Sequence, residues 1–214
     1  AAVAVPIAVG AAVWLEEYAP RTWRTRAIET NIRNLAGVPS IVYGIIGLTV
    51  FVGGFGLGRT VLAGALTLVL FVLPLLVLTV QDALRSLPPG LREASWAVGA
   101  TRWQMVRRQL LPAALPRIAS GTILALARAL GEAAPIVLVV GIGFVSLAPS
   151  SPGDVFTALP LQIFDWARRP QADFQARAAG ASLVLLVAIV LLNALAAWIR
   201  AWGAAGRDLD PGGV

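Results

Sequence analysis

Thr60-Val-Leu-Ala-Gly-Ala-Leu-Thr-Leu-Val-Leu-Phe-Val-Leu-Pro-Leu-Leu-Val-Leu-Thr-Val80 runs for 21 residues without a charge. A helix of about 20 such residues crosses the ~30 Å hydrocarbon core of a bilayer. Lipid offers the backbone no outside partner, so the run must be helical. The rest of the chain has the same character. Of its 214 residues 58% are apolar and 13% charged, and the mean hydropathy is +0.80. Soluble domains are about 45–50% apolar and about 25% charged. Cysteine and histidine are both absent, which excludes disulfides, Cys/His zinc sites, a cysteine nucleophile and any imidazole-dependent triad. All 17 basic residues are arginine, so no lysine-bearing phosphate loop exists and the chain has no Walker-type ATPase site of its own. The net charge of +6 would suit nucleic acid, but the arginines are scattered between apolar runs, as membrane flanks are.

Working outward, four more apolar stretches appear, at about residues 1–15, 36–55, 118–147 and 181–202. The first is short for a span and has no basic segment before it, so it reads as the tail of a membrane helix rather than a signal peptide. The stretches 36–55 and 60–80 are separated only by Gly53-Gly54-Phe55-Gly56-Leu57-Gly58, which predicts an antiparallel helical hairpin. The stretch 118–147 would be about 45 Å long as one helix; it must tilt, protrude or break near Pro135. The expectation is therefore an all-α, polytopic helical membrane protein, a single transmembrane domain over 1–214 with about five spans. Alternation of sides places twelve arginines with Glu16–Leu35, Gln81–Arg117 and the C-terminal tail, against four on the other side. The positive-inside rule makes the first set cytoplasmic. The tail from Gly203 reads as a frayed end.

The polar segment 81–117 is too long and too patterned for a plain connector. Leu91–Val98 reads as a short helix, Gly99 can end it, and Thr101 can cap the next, with Pro112 and Pro116 marking the return into lipid. From chemistry alone it suits an amphipathic element on anionic lipid as well as it suits a docking element. Glu93-Ala94-Ser95, three residues, Gly99, nine residues, then Gln109-Leu110-Leu111-Pro112 resembles the EAA loop of ABC importer permeases. Ser95 and Gln109 depart from that pattern. The resemblance implies a type I importer permease fold. It also implies that this loop docks in a groove of an ATP-binding subunit dimer, which holds the ATP and Mg; no cofactor sits on this chain. Glu93, Ala94, Ser95, Trp96, Gly99, Leu111 and Pro112 are then the coupling residues, with Glu93 as charged contact and Gly99 as bend. Val98 would help Trp96 fill the groove.

The likeness extends to permease subunits of phosphate importers of the A type, carried by Leu15-Glu-Glu-Tyr18-Ala19, Asn34–Gly44, Ala127–Pro135 and Phe156–Asn193. It implies six spans in the whole pattern, a bacterial inner-membrane location, a second homologous permease subunit of the C type, and an extracytoplasmic phosphate-binding protein. Arg128 and Glu132 are judged on physics first. An arginine inside an apolar run costs about 2.5–3.5 kcal/mol on insertion scales and needs a partner. Glu132, four residues on, would share its helix face. Either the two form a structural ion pair, or Arg128 offers its paired donors to an oxyanion. The resemblance favours the second, with Arg128 and Glu132 as a gate and phosphate as cargo. Molybdate, sulfate or phosphonate is the alternative cargo, and an ATP-independent anion transporter the more distant one. Leu78 stands where relatives carry a basic residue. Ser40 and Tyr43 bring hydroxyls toward the path or serve packing. Gly121, Gly131 and Gly141 suit close helix contact, Leu161–Arg169 an interfacial segment or a contact for a substrate-binding protein, and Asn193 a helix–helix hydrogen bond.

Overall fold

The computed structural model describes residues 1–141 and 149–208, and every regular element among them is helical. The contacts group into two compact units.

The first unit takes in Ala1–Ala36, Leu73–Ala125 and the chain from Leu192 on. Helix α1 (Ala4–Val13) buries Ala4, Ala8 and Ala12, one face at four-residue spacing. It ends in a π turn, Trp14–Tyr18, and Ala19 is extended (φ −67°, ψ 133°) because the residue before a proline, here Pro20, is disfavoured in the α region. The segment expected as a polar connector, Glu16–Leu35, instead holds a 14-residue helix, α2 (Trp23–Ala36), none of whose residues is buried. Its Ile28, Ile32 and Leu35 recur at helical spacing, a signal masked by the surrounding arginines. Gly37-Val38-Pro39 stops it.

The second unit comprises Gly37–Val72 and Leu126–Leu191. Helix α3 (Ser40–Ile46) continues as a π segment, Gly47–Gly54. These 15 residues reach about 22 Å at 1.5 Å per residue, short of a full crossing. Gly56 and Gly58 turn the chain with φ of +65° and +66°. Helix α4 (Val61–Arg85) returns antiparallel: Tyr43 meets Phe71 edge-on at 5.6 Å, and Gly47 abuts Thr67, in one register. The predicted hairpin is thus present. The first amides of α4 have no partner within the helix; Val61 donates to the Asp154 carbonyl at 2.9 Å and Leu62 to that of Pro152 at 2.9 Å. A core of Ala63, Ile136, Val139, Val140 and Leu161 closes this unit.

Among the described residues three helices are long and apolar enough to cross a membrane by length and composition, Val61–Arg85, Arg102–Leu130 and Ala172–Trp202, and a fourth span results if Trp23–Ala36 and Ser40–Gly54 count as one broken span. The middle one departs from expectation at both ends. Helix α5 (Pro89–Ala97) is followed by α6 (Arg102–Met105), which does not stop at Pro112. It runs through a π turn, Val106–Leu110, straight into α7 (Leu111–Leu130). Proline lacks an N–H and its ring presses on the carbonyl four residues back. Wider π geometry immediately before Pro112 relieves both demands. At the other end the expected stretch 118–147 breaks at Gly131-Glu132-Ala133, ahead of Pro135, and resumes as α8 (Ala134–Val140). Its last part, Ile142–Leu147, lies outside the described residues. Helix α9 (Leu159–Ala167) supplies the predicted amphipathic segment and buries Leu161. Helix α10 (Ala172–Asp208) starts nine residues before the expected span and runs past Gly203, where a frayed tail was expected.

Candidate functional site

Two clusters carry the predicted residues. The first lies in the second unit, where α3 and α8 meet. Gly44 lets the helices touch: a Cβ there would stand 2.7 Å from Pro135 Cα. This approach brings the start of α3 to the break after α7. Ser40 Oγ donates to Glu132 Oε1 at 2.8 Å, joining residues 92 apart in sequence. Glu132 is half-buried and stands off the helix, since α7 ends at Leu130. The expected sharing of one helix face by Arg128 and Glu132 therefore fails. The reason is local: Pro135 cannot continue α7, so the turn opens before Glu132 is reached. Arg128 makes no ion pair among the described residues. Its guanidinium lies 5.5 Å from the centroid of the Phe71 ring, a cation–π contact. Tyr43 is buried and packs edge-on against the same ring.

Four of the predicted path residues, Ser40, Tyr43, Arg128 and Glu132, thus fall in one cluster, with Phe71 joining two of them. Sequence reasoning missed Phe71. The hairpin register opposite Tyr43 was the signal that could have found it. Among the described residues the cluster offers an arginine whose N–H donors are not taken up by a carboxylate, near an acid already engaged by a hydroxyl. Such a guanidinium can take a tetrahedral oxyanion in bidentate fashion.

The second cluster lies in the first unit. The Gly99 backbone has φ of +75°, a conformation that side chains with a Cβ resist, and no atom crowds it. Amides of Gly99 and Ala100 close α5 on the carbonyls of Trp96 and Ser95. Thr101 then opens α6 with a full capping box: Gln104 N–H donates to Thr101 Oγ1, and Thr101 N–H donates to Gln104 Oε1. Between the two arms lies a cleft of about 490 Å³ lined by Leu91, Ser95, Val98, Met105 and Arg108 among others.

The predicted coupling residues separate on this frame. Glu93, Ala94, Trp96 and Gly99 are exposed, and Val98 and Trp103 beside them are 82% and 58% exposed. Ser95 instead is buried, its hydroxyl donating to the Leu91 carbonyl at 2.8 Å. Leu111 and Pro112 sit at the head of α7, beyond the bend.

Sequence reasoning also passed over what anchors the loop. Arg92 donates through Nε and Nη2 to Glu17 Oε1 at 3.1 and 2.8 Å. Arg85 pairs with Glu16 at 2.5 Å and with Glu29 at 3.3 Å, and Gln81 Nε2 donates to Glu16 at 2.9 Å. The signal was an adjacent Glu16-Glu17 pair at the end of an apolar run, where charge needs a partner.

Comparison with known proteins agrees with this architecture. Residues 4–205 match the family described as binding-protein-dependent transport system inner membrane component. The chain is 39% identical over 209 residues to the probable ABC transporter permease protein YqgI of Bacillus subtilis, covering 92% of this chain and 71% of that protein. It is 42% identical over 160 residues to YqgH of the same organism, covering 72% and 51% respectively. It is 37% identical over 205 residues to the phosphate transport system permease protein PstA 1 of Mycobacterium tuberculosis H37Rv, covering 94% and 64%. The chain thus spans between 51% and 71% of the length of these relatives. With its helices, its EAA-type loop and a match over nearly all of its residues, the chain belongs to the binding-protein-dependent transport system inner membrane components, the multi-pass permeases of ABC transporters.

Proposed function

We propose that this chain is a transmembrane subunit of an ATP-driven importer that moves inorganic phosphate into the bacterial cytoplasm. The observation that carries the reading is the state of Arg128. It stands in the apolar α7 with an aromatic face instead of a carboxylate beside it, while Glu132 is held by Ser40. A guanidinium kept free of its natural internal anion is poised for an external one. The phosphate-transport relative adds its cargo to this reading. In one conformation Arg128 faces the path and lowers the barrier for the anion. In the other it turns to Glu132 or to the second permease subunit, of the C type, and the path closes.

ATP and Mg belong on a separate ATPase dimer. The exposed Glu93, Trp96 and Val98 around the Gly99 bend form the surface that meets it. Segment 81–117 and the C-terminus then face the cytoplasm, a placement that the arginine bias supports. An extracytoplasmic phosphate-binding protein delivers the cargo on the other side. The test is uptake of labelled phosphate by the reconstituted complex. Arg128→Gln is expected to abolish uptake while the subunits still co-purify; uptake at near wild-type rate overturns the role. A second cargo, another oxyanion, is favoured by one observation: Leu78 supplies no second basic group to the path. Competition by molybdate, sulfate and phosphonate against labelled phosphate decides between them.

A further inference from the structure

The π turn Trp14–Tyr18 touches each part of the segment that follows α4. Glu16 receives Gln81 and Arg85 from the end of α4. Glu17 receives Arg92 from α5, and the Glu17 backbone carbonyl receives Arg102 Nη1 from α6 at 3.2 Å. Arg92 also donates to the Leu84 carbonyl at 3.2 Å, so it bridges α4 and α1 from α5. Two features make the turn suited to this. The turn closes with the Ala19 amide on the Trp14 carbonyl at 2.8 Å and ends at Tyr18, so the Glu17 carbonyl has no amide partner within the helix and is open to Arg102. The C-terminal end of a helix is also its negative end, and three arginines meet it. The Glu17 side chain is 6% exposed and that of Arg92 22%. Water and salt therefore screen this pair far less than a surface pair.

We infer that Glu17 and Arg92 are positioning residues for coupling: their pair ties α5 to α1, so that a push on the Gly99 bend moves α1 together with α7. Resting on the reading of α5–α6 as the surface that meets the ATPase, it adds a second route. The first is the unbroken α6–α7 helix. The second runs from α5 through Arg92 and Glu17 into α1, with Glu16 and Arg85 fixing the end of α4 to the same turn. A displacement at α5 then moves α1 and α7 together rather than bending the loop.

The experiment uses the complete complex of full-length permease, second permease, ATPase and binding protein in proteoliposomes. It measures phosphate taken up per ATP hydrolysed. A merely structural role lowers both quantities together and leaves their ratio unchanged; a coupling role lowers the ratio. Glu17→Gln and Arg92→Gln are each expected to lower the ratio at least about fivefold, the lower end of usual coupling between sites, with the ATPase still co-purifying. The chain has no native cysteine, so Glu17→Cys with Arg92→Cys can be bridged by a short thiol-specific crosslinker. Bridging is expected to restore the ratio, and the unbridged pair to remain low. An unchanged ratio in the single variants overturns the inference, as does a bridged pair that stays low. Should the single variants fail to assemble, the bridged pair alone decides. A wild-type complex that couples ATP to uptake, with unaffected variants, sinks only this inference. A wild-type complex that takes up no phosphate sinks the proposed function instead.

Discussion

Gly44→Ala adds one methyl group where α3 and α8 touch. The new Cβ would lie 2.7 Å from Pro135 Cα, 3.1 Å from the Pro135 carbonyl oxygen and 3.0 Å from Leu138 Cδ1. Leu138 can rotate away, but the Pro135 backbone cannot. Ordinary contact begins near 3.4 Å, so α3 must withdraw by about 0.7 Å. The Ser40–Glu132 hydrogen bond, 2.8 Å long, spans the same two segments. The same retreat carries it to about 3.5 Å, the outer limit of a hydrogen bond. Overpacking of this kind costs about 1–3 kcal/mol, and in a domain of this size each kcal/mol lowers the melting temperature by about 2–4 °C. A fall of roughly 2–12 °C in detergent, followed by tryptophan fluorescence, is expected, together with reduced phosphate uptake at equal protein level. Gly180→Ala is the control, since nothing lies within 4 Å of its position in α10; helix propensity alone would raise stability there by up to about 1 kcal/mol. A Gly44→Ala protein that melts within about 1 °C of wild type and transports normally would refute the close packing from which the candidate path cluster is built.

Gly99→Pro fixes φ near −65°, opposite in sign to the observed +75°. The protein should still insert, while binding-protein-stimulated ATP hydrolysis and uptake are lost; Gly99→Asn, which tolerates this region, should keep most of both. The Asp154 carboxylate lies in the loop that closes the start of α4. The Ser150 backbone amide, then the Ser151 hydroxyl, the Ser151 amide and the Ser150 hydroxyl hold it down from 3.8 to about 2. A depressed acid contributes order above its unfolded value and loses it as pH falls through the folded one. Limited proteolysis of residues 149–158 should thus be unchanged from pH 7 to 5 and rise as the pH drops from about 4 to 2. Asp154→Asn should remove that dependence; equal cleavage of the two proteins across this window would count against the turn.

Local features of the chain were legible early because they depend on near neighbours. The uncharged run 60–80 could only be a helix in lipid, and the glycines at 56 and 58 could only turn it back. The Gly99 bend and the Thr101 cap follow from residue types a few positions apart. Where reading failed, distant or competing forces intervened. Helix α2 escaped notice because its apolar stripe is thin among arginines, and α6–α7 ran on through Pro112 because a π turn made room for the ring. Arg128 and Glu132 looked like a helical pair, yet the break ahead of Pro135 sent one to Phe71 and the other to Ser40.

From residue order alone come the membrane habit, the hairpin, the bent polar segment and the arginine set within an apolar run, since hydrophobic length, glycine and proline act over a turn or two of chain. Folding was needed to settle which partner each charge takes. Glu16 finds Gln81 across 65 positions and Ser40 finds Glu132 across 92, and no periodicity encodes such pairs. They depend on how closely two helices approach, and at the α3–α8 contact that distance is set by the missing side chain of Gly44.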